Sequence, residues 1–482
     1  PTVTPVTPTA APAESTDIQG ATQTGKPEFT EGDSRVPMND AVPATFDDGS
    51  TTKTVDGVGT YTVAADGTVT FVPEKSFVGT APAVTVVRED KNGTKASATY
   101  TPTVTPVTPT ATPAETTGVQ GATQSGKPTF TEGNNRVPMN DDVPATFDDG
   151  STSKTVDGVG TYTVAADGTV TFVPEPSFTG TAPAVTVVRE DKNGTKASAT
   201  YTPTVNPVTL TPTNKVSEDI QNIPQTETPT FALSDDETAQ ITSKKLIDPA
   251  TGQPTDETTV TVAGEGSYTI DPTTGAVTFT PEKDFVGTAK GVTVQATATI
   301  TNANGKTATI TSDATYTPTV VAAVPTAQPA TSKDVQGATQ TGTPTFAGTT
   351  VQVNGEDKAI TIKDNSYTLL DNDGNEVTSA PAYAADGTTE IGTYSIDSAT
   401  GQVTFTPTDK SYTGAVTPAK VQAESSNGIK VDTTYTPEIV PVTPTATPAE
   451  TTDIQGATQT GKPEFKGGTV TIDGKEKTVE IN

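Results

Sequence analysis

Large apolar side chains alternate with threonine in short runs along the whole chain. In the run GTYTVAADGTVTFVP, Tyr61, Val63, Val69 and Phe71 occupy alternate positions on either side of an Asp-Gly pair at residues 66–67. A period of two is typical of a half-buried β-strand, and glycine supplies the positive φ that tight turns need. The pattern therefore predicts a β-hairpin in this run.

An Asn-Gly pair marks a second hairpin further along. An apolar run at 83–87 precedes Asn92-Gly93, and a second run that passes through Tyr100 follows it. Asn-Gly between two apolar runs is a strong local signal for a hairpin turn. With the stretch before Phe29 and the segment TTKTV, we expect about six to eight short strands and no helix of useful length in this part of the chain.

Two short phrases recur along the chain at matching intervals. One ends in Pro-x-Phe, and its phenylalanines are separated by 101, 101, 115 and 119 residues: Phe29, Phe130, Phe231, Phe346 and Phe465. The other is Thr-Tyr-Thr-Pro, and its tyrosines are separated by 101, 115 and 119 residues: Tyr100, Tyr201, Tyr316 and Tyr435. A period of this length is the size of a small domain. We therefore place four complete repeats, called the first to the fourth, at 1–105, 106–206, 207–321 and 322–440, and the truncated start of a fifth at 441–482.

Short strands separated by glycine and proline turns favour one β-sandwich in each repeat. The predicted fold class is all-β, a tandem array of antiparallel, immunoglobulin-like β-sandwich domains joined by short Pro/Thr-rich linkers. The recurring aromatic residues are expected to form the cores, with a ring-stacking ligand site at one or two of them as the alternative. The segment PTVTPVTPTATPAE is expected to form a semi-rigid polyproline II spacer that holds neighbouring domains apart.

Composition excludes several classes of function. The 482 residues include no Cys, no His and no Trp, which removes imidazole and thiolate chemistry and the usual transition-metal ligands. The net charge of −29 disfavours nucleic acid and anionic membrane surfaces as partners. No apolar run approaches the roughly 20 residues of a membrane span. We expect no catalytic residue and no cofactor.

The same composition leaves one alternative open. Leu, Ile, Val and Phe together make up 86 of 482 residues, which is below the rough 20% level at which disorder becomes a concern. These residues are concentrated in alternating runs bounded by turn residues, which favours folded domains. The alternative is a chain that stays disordered until it is stretched or assembled.

Three groups of residues are candidates for site chemistry. Asp371, Asp373, Asn375 and Glu376 in the DNDGNE stretch resemble a small calcium loop, with a plain hairpin loop as the alternative. Lys95, Lys196 and Lys430 follow the Asn-Gly turns, and a buried lysine beside an asparagine and a carboxylic acid could form an isopeptide bond; the alternative is a solvated lysine at a strand end. Asn92 and Asn193 match the N-glycosylation sequon, which the turn preference for Asn-Gly explains equally well.

The linked motifs GTYTVAADGTVTFVPEKSFVGTAPAVTVV, NGT, ATYTPTV and GATQTGKPEF resemble the CshA-type fibril repeats of streptococcal cell-wall-anchored surface adhesins. The resemblance covers essentially the whole chain, and the third repeat is the loosest match. It implies an extracellular bacterial surface protein, from a Gram-positive cell, whose tandem repeats form a fibril stalk. It also implies a separate N-terminal region that binds host extracellular-matrix glycoprotein or other bacteria. Because the chain begins at Pro1 and ends at Asn482 within a repeat, we expect it to be a piece of such a protein.

The partners expected for the repeats themselves are the neighbouring repeats of the same chain. The main alternative is that the repeats bind host matrix glycoprotein weakly and gain strength through multivalency. An enzyme acting on polysaccharide would need a recurring carboxylate pair, and none is evident in the sequence.

Overall fold

The computed structural model describes residues 2–481, and every regular element within that range is a β-strand. The chain divides into two compact units. One comprises Pro1–Thr211, Leu233–Thr242 and Thr297–Thr311, and the other comprises Pro212–Ala232, Ser243–Ala296 and Ser312–Asn482. The first two repeats lie in the first unit, the fourth and fifth lie in the second, and parts of the third belong to each.

The first repeat contains eleven strands. They are β1 (Thr9–Ala11), β2 (Ala13–Ile18), β3 (Gln23–Gly25), β4 (Glu28–Thr30), β5 (Thr45–Phe46), β6 (Thr52–Val55), β7 (Gly59–Val63), β8 (Val69–Pro73), β9 (Gly79–Thr80), β10 (Val84–Glu89) and β11 (Lys95–Thr105).

These strands form two main sheets. One has the order β3-β8-β7-β6, and the other has the order β2-β11-β10-β5 with β9 also pairing with β11. Strands β7 and β8 are antiparallel with Tyr61 opposite Phe71, and β10 and β11 are antiparallel with Glu89 opposite Lys95. Both predicted hairpins are therefore confirmed.

The first strand of the larger sheet pairs with the last one in parallel. Strand β2 lies beside the C-terminal half of β11, with Ala13 opposite Tyr100 and Ile18 opposite Thr105. All other pairings recorded in this repeat are antiparallel. The parallel pair places the end of β2 next to the point at which the chain leaves the repeat.

The core lies between the two sheets and is built around aromatic rings. Tyr61, Phe71 and Tyr100 are fully buried, and the rings of Tyr61 and Phe71 lie 4.6 Å apart. The hydroxyl of Tyr61 donates to the carbonyl oxygen of Pro82 at 2.8 Å, and burial raises the pKa of Tyr61 to about 12. These rings have no free face for a ligand, so they are core residues as predicted.

The second repeat has the same arrangement. Its strands are β12 (Thr110–Thr112), β13 (Ala114–Val119), β14 (Gln124–Gly126), β15 (Thr129–Thr131), β16 (Thr146–Phe147), β17 (Ser153–Val156), β18 (Gly160–Val164), β19 (Val170–Pro174), β20 (Gly180–Thr181), β21 (Val185–Glu190) and β22 (Lys196–Asn206). The sheets have the orders β14-β19-β18-β17 and β13-β22-β21-β16, and β13 pairs with β22 in parallel.

The third repeat contains β23 (Leu210–Thr213), β24 (Lys215–Ile220), β25 (Gln225–Glu227), β26 (Thr230–Leu233), β27 (Ala239–Leu246), β28 (Thr259–Val262), β29 (Gly266–Ile270), β30 (Val277–Pro281), β31 (Gly287–Thr288), β32 (Val292–Thr301) and β33 (Thr307–Val321). Within the second compact unit, β24 and β33 form the same parallel pair, with Lys215 opposite Tyr316.

The fourth repeat contains β34 (Thr326–Gln328), β35 (Ala330–Val335), β36 (Gln340–Gly342), β37 (Thr345–Ala347), β38 (Thr350–Val353), β39 (Glu356–Ala359), β40 (Thr368–Leu370), β41 (Glu376–Val377), β42 (Ser379–Tyr383), β43 (Glu390–Ile396), β44 (Val403–Pro407), β45 (Ala419–Glu424) and β46 (Lys430–Val440). The fifth contributes β47 (Thr445–Thr447), β48 (Glu464–Lys466), β49 (Thr469–Ile472) and β50 (Lys475–Thr478). Strands β35 and β46 form the parallel pair here.

The predicted fold class is confirmed: the chain is an all-β tandem array of β-sandwiches. The predicted number of strands is too low, because each of the first two repeats has eleven. The additional strands, such as Thr9–Ala11 and Gly79–Thr80, are two or three residues long and carry no large apolar side chain. They therefore show no alternating pattern in the sequence.

The predicted polyproline spacer is wrong. Of the first proline-rich segment, residues 102–105 belong to β11, 110–112 form β12 and 114–119 form β13. Residues 106–109 and Pro113 lie between strands, and Val107 among them is 2% exposed. Threonine and valine between the prolines retain the N–H donors that sheet pairing needs, so proline density alone does not keep the segment out of the sheets.

Replacing Phe71 by Ala is expected to destabilise the first repeat by about 3–5 kcal/mol, because the side chain is fully buried. Val72→Ala is the matched control on the same strand, since Val72 is 50% exposed, and we expect a change within about 0.5 kcal/mol. Native-state hydrogen exchange of the full chain at the amides of β7 and β8 measures both effects. Equal losses of protection in the two variants would contradict the assignment of the core.

Candidate functional site

A buried glutamine holds the end of the first repeat. Gln19 is 5% exposed, and its backbone N–H donates to the carbonyl oxygen of Thr105 at 2.8 Å. Its side-chain Nε2 donates to the carbonyl oxygen of Lys75 at 2.8 Å, and its Oε1 accepts from the N–H of Val107 at 3.2 Å. The first residues of the second repeat are thereby fixed against the end of the first.

Equivalent glutamines follow the parallel strand in the other repeats. Gln120 accepts from the N–H of Val208 at 3.1 Å, and Gln336 accepts from the N–H of Val442 at 2.9 Å. Gln221 keeps the backbone bond, donating to the carbonyl oxygen of Val321 at 2.9 Å. In each of the first four repeats, a glutamine directly after the parallel strand thus fixes where the chain leaves that repeat.

A second buried glutamine ties the two sheets of each repeat together. In the first repeat, Gln23 on β3 accepts from the hydroxyl of Ser15 on β2 at 2.6 Å and donates to the carbonyl oxygen of Thr103 on β11 at 2.9 Å. The hydroxyls of Ser15 and Tyr100 are 2.6 Å apart. The same hydroxyl, glutamine and tyrosine side chains recur as Thr116, Gln124 and Tyr201; Ser217, Gln225 and Tyr316; and Ser332, Gln340 and Tyr435.

The second repeat contacts the first through its Asn-Gly turn. The Nδ2 of Asn193 donates to the carbonyl oxygen of Gln19 at 2.9 Å. Gly20 has φ +79, and a Cβ there would lie 2.3 Å from the Oδ1 of Asn193. The turn is shaped by buried Asp191, whose carboxylate accepts from the N–H groups of Asn193 and Thr195 at 2.9 and 2.8 Å. A larger residue at position 20 would push the two repeats apart.

An ion pair lies beside this contact. Arg136 of the second repeat donates two hydrogen bonds to the carboxylate of Asp17 in the first, at 2.7 and 2.9 Å. The guanidinium of Arg136, together with the N–H of Ile18, lowers the pKa of Asp17 below its ordinary value. The pair is partly exposed, since the side chains of Arg136 and Asp17 are 54% and 31% exposed.

The equivalent arginine of the first repeat makes a different bond. Arg35 pairs with Asp33 of its own repeat at 2.8 and 2.9 Å. Asn134 takes the place of Asp33 in the second repeat, and its side-chain oxygen accepts only the backbone N–H of Arg136, at 3.0 Å. An amide at this position leaves the guanidinium available for Asp17.

The second and third repeats meet within the first compact unit. Here the Nδ2 of Asn302 donates to the carbonyl oxygen of Pro174 at 2.8 Å, and Lys306 pairs with Glu175 at 2.6 Å. A Cβ on Gly121 would lie 3.0 Å from Ile300. A small apolar cluster accompanies these contacts, formed by Val208, Ala239 and Ile300 with Leu233 and Ile310 beside them.

The third and fourth repeats meet within the second compact unit, again through an Asn-Gly turn. Asn427 is 4% exposed, and its Nδ2 donates to the carbonyl oxygens of Ala323 and Gln221 at 2.9 and 3.4 Å. The hairpin β38–β39 of the fourth repeat adds an ion pair between Lys358 and Asp219. The apolar cluster at this junction consists of Ile220, Ala323, Val353 and Ile360.

The fifth repeat contacts the fourth with a similar hairpin. Lys477 on β50 pairs with Asp334 at 2.5 Å, and Ile472 at the end of β49 is 4% exposed.

The sequence analysis did not identify the residues that form the junctions between repeats. The available signal was the recurrence of an Ile/Val-Gln pair, followed by Gly or Asn, shortly before each Pro-x-Phe phrase, at Gln19, Gln120, Gln221, Gln336 and Gln455.

Of the four candidate calcium ligands, Asp371, Asp373 and Asn375 lie in the hairpin loop between β40 and β41, and Glu376 is the first residue of β41. The carboxylate of Asp371 accepts from the N–H groups of Asp373 and Asn375 at 2.9 and 2.8 Å and from the side-chain amide of Asn375 at 3.1 Å. These bonds lower the pKa of Asp371. Glu376 instead pairs with Lys430. Among residues 2–481 there is no cluster of three acidic side chains arranged to hold a metal ion.

The three candidate isopeptide lysines, Lys95, Lys196 and Lys430, lie at exposed positions at the start of a last strand. The hypothesis of an isopeptide bond requires a buried lysine beside an asparagine and a carboxylic acid, whereas these three lysines are exposed and Lys430 forms an ion pair with Glu376. The two sequon asparagines differ: Asn92 is exposed, whereas Asn193 contacts the first repeat.

No helix in the described part of the chain is long and apolar enough to span a membrane.

Comparison with known proteins supplies a family. The model of the surface adhesin CshA repetitive domain matches residues 5–104, 106–205, 207–320 and 322–439. A search of curated proteins found no match.

Among solved structures, cadherin domains 3–6 of protocadherin gamma B2 are 11% identical, with 89% of this chain and 97% of that chain covered and a TM-score of 0.28. Cadherin domains 1–4 of protocadherin gamma B7 are 8% identical, with 89% and 100% covered and a TM-score of 0.31. Immunoglobulin domains 1–5 of Sidekick-1 are 10% identical, with 89% and 79% covered and a TM-score of 0.23.

The ion pair between Asp17 and Arg136 gives a prediction about pH. Because its pKa is lowered in the folded state, Asp17 contributes stability above the ordinary aspartate pKa of about 3.9, and this contribution is lost as pH falls through the lowered value. We expect Arg136→Gln to cost at most about 1 kcal/mol at pH 7. The difference from the unmodified chain should vanish in strong acid, as followed by calorimetric melting of the full chain.

Arg35→Gln is the matched control, because Arg35 occupies the same place in the first repeat but pairs within it. It should leave the contact between the first two repeats unchanged. A loss for Arg136→Gln that stays constant down to pH 2 would show that the ion pair is not its cause.

Proposed function

Since the chain belongs to the family of the surface adhesin CshA repetitive domain, we propose that it is a non-enzymatic structural stalk of a bacterial cell-surface fibrillar adhesin. In this role it projects a separate binding region away from the cell wall to which the parent protein is anchored. The observation that carries the proposal is the set of direct contacts between successive repeats. A stalk can hold a binding region at a distance only if its neighbouring domains are held to each other. The contacts between successive repeats support this role.

The contacts are of a kind that restricts motion. At the first junction, one buried glutamine fixes the connecting residues, one asparagine joins the repeats and one ion pair lies beside them. Flexible linkers rich in Gly and Ser would leave the domains free to rotate, whereas here the connection itself is partly buried. The residues therefore favour a connection of low flexibility.

The surface charge fits the same role. A net charge of −29 gives neighbouring stalks like-charged surfaces, which repel one another at short range. The junctions, by contrast, bring opposite charges together, as in the pairs of Asp17 with Arg136 and Asp334 with Lys477. These pairs attract successive repeats of one chain, whereas the net charge repels neighbouring chains.

Restricted motion can be measured directly, because the chain has no native cysteine to interfere with labelling. Spin labels at Asp56→Cys and Asp157→Cys, which are exposed and equivalent positions in the first two repeats, should give a narrow distribution of distances. Gln19→Ala should broaden this distribution, because it removes the bonds to Lys75 and Val107. Arg35→Gln serves as the unaffected control. A distribution that is already broad in the unmodified chain would argue against a stalk.

The remaining candidate function is weak multivalent binding of host matrix glycoprotein by the repeats themselves. For a stalk, we expect no saturable binding of the full chain to immobilised matrix glycoproteins. Saturable binding that falls steeply when the fourth and fifth repeats are removed would support multivalent adhesion instead. Surface plasmon resonance with the full chain and with residues 1–321 distinguishes the two roles.

A further inference from the structure

Five Asn-Gly pairs occur in the chain, and they differ in whether the asparagine touches the preceding repeat. They are Asn92, Asn193, Asn304, Asn354 and Asn427, each followed by glycine. We propose that these turns are sites of spontaneous deamidation, and that the contacts between repeats decide which of them react. Exposed asparagines are modified, and those bound at a junction are protected while the junction is closed. The inference concerns the chemistry of the turns and does not depend on the stalk role.

The reaction requires only water. The backbone nitrogen of the glycine attacks the Cγ of the preceding asparagine, a C–N bond forms, and the side-chain nitrogen leaves as ammonia. Water then opens the resulting succinimide to aspartate or isoaspartate. Glycine favours the attack because it has no side chain to hinder its nitrogen. The asparagine side chain must rotate to bring Cγ within reach, so any bond that holds the amide slows the reaction.

Asn92 and Asn193 provide a matched pair inside one molecule. Both lie in the sequence REDKNGTKASATYTPTV. The attacking nitrogens are bonded in the same way, since the N–H groups of Gly93 and Gly194 both donate to an aspartate carbonyl oxygen at 2.9 Å. The difference lies in the side chain: that of Asn92 is exposed, whereas that of Asn193 donates to the carbonyl oxygen of Gln19 at 2.9 Å. The junction contact therefore separates them, and the one further difference beside the turn is that Lys192 pairs with Asp142, where the first repeat has Ala41.

The same contrast appears between the third and fourth repeats. Asn427 is 4% exposed, donates to two carbonyl oxygens and accepts from the hydroxyl of Ser425 at 2.5 Å. Asn304 is exposed. Its repeat contacts the preceding one through Asn302, which precedes Ala303 rather than glycine and so does not present the reactive pair.

Asn354 lies between these extremes. It is exposed, and its Nδ2 donates to the carbonyl oxygen of Glu218 over a longer distance of 3.3 Å. The backbone N–H of Asn354 also donates to the carboxylate of Glu218 at 2.5 Å, so the residue is held although its side-chain bond is long, and we expect partial protection. The five turns therefore form a graded series within one chain.

Deamidation at a junction would also prevent it from closing again. The Nδ2 of Asn193 is a donor facing a carbonyl oxygen, and the product is a carboxylate, which can only accept hydrogen bonds. Two acceptors would then face each other at the distance of a hydrogen bond. Opening of a junction for long enough to react would leave a permanent, loosened contact.

The test is to incubate the full chain at mildly alkaline pH and 37 °C and to follow the mass change at each turn. Cleavage before aspartate separates the two identical turns, because the residues after Val104 and Val205 differ. We expect the exposed asparagines, Asn92 and Asn304, to react roughly tenfold or more faster than Asn193 and Asn427. The reason is that Asn193 and Asn427 can react only when the junction opens locally. The rate at Asn354 should lie between these two groups. Equal rates at Asn92 and Asn193 would overturn the proposal.

Two substitutions of glycine by alanine separate junction opening from general destabilisation. Gly20→Ala places a Cβ 2.3 Å from the Oδ1 of Asn193, whereas Gly57→Ala imposes similar strain at φ +71 with nothing within 4 Å. Gly20→Ala should raise the deamidation rate at Asn193 to the rate at Asn92 and leave the rate at Asn427 unchanged. Gly57→Ala should leave the rates at both Asn193 and Asn427 unchanged. An unchanged rate at Asn193 in Gly20→Ala would also overturn the proposal.

Arg136→Gln is a milder variant in case Gly20→Ala unfolds the first repeat. It removes the ion pair with Asp17 without altering the turn. We expect a smaller rise at Asn193 and no change at Asn92. A rise of equal size at both asparagines would show that the variant acts through the folding of the repeat and not through the junction.

Discussion

The hydrogen bonds of Gln19 and its equivalents are the constraint on which the arrangement of successive repeats depends. Because β2 runs parallel to the end of β11, the residue after β2 lies where the chain leaves the repeat. Gln19 extends the pairing to Thr105 with its backbone and holds Val107 with its side chain. The exit of the chain is therefore set by the first twenty residues of the same repeat. Insertions between these points, which lengthen the later repeats, need not alter the exit.

The contacts between repeats use different residues around this shared base. Where an aspartate precedes the Ile/Val-Gln pair, a cation of the following repeat meets it: Arg136 with Asp17, Lys358 with Asp219 and Lys477 with Asp334. The second repeat has Gly118 at that position. Its contact with the third repeat uses Glu175 and Lys306 instead. Exposed ion pairs of this kind contribute little energy individually, so they serve mainly to select the orientation of the partner.

Features of the fold that depend on residues close together in the sequence could be predicted, and contacts between residues far apart in the sequence could not. The hairpin of Tyr61 and Phe71 is encoded within fifteen residues by alternation and a glycine turn. The bond of Ser15 to Tyr100 joins residues 85 positions apart, and no local pattern announces it. Gln19 lies in a polar stretch of the sequence, a pattern that predicts a surface residue. It is buried only because the end of β11 packs beside it in the folded repeat. The prediction of a polyproline II spacer was wrong for a related reason. It rested on the composition of the segment alone, whereas neighbouring parts of the folded chain bury Val107.

The Asn-Gly turn serves two purposes that place opposing demands on it. The glycine supplies the positive φ of the turn, with φ +86 at Gly194 and +78 at Gly428, and the amide of the preceding asparagine projects from the tip. At the tip, the amide is well placed to bond the preceding repeat, as Asn193 and Asn427 do. The third repeat separates the two purposes, since Asn304-Gly305 forms the turn and Asn302 makes the contact. A docking amide can therefore be moved off the reactive dipeptide without loss of the hairpin, which shows that turn geometry and contact between repeats are independent requirements on this sequence.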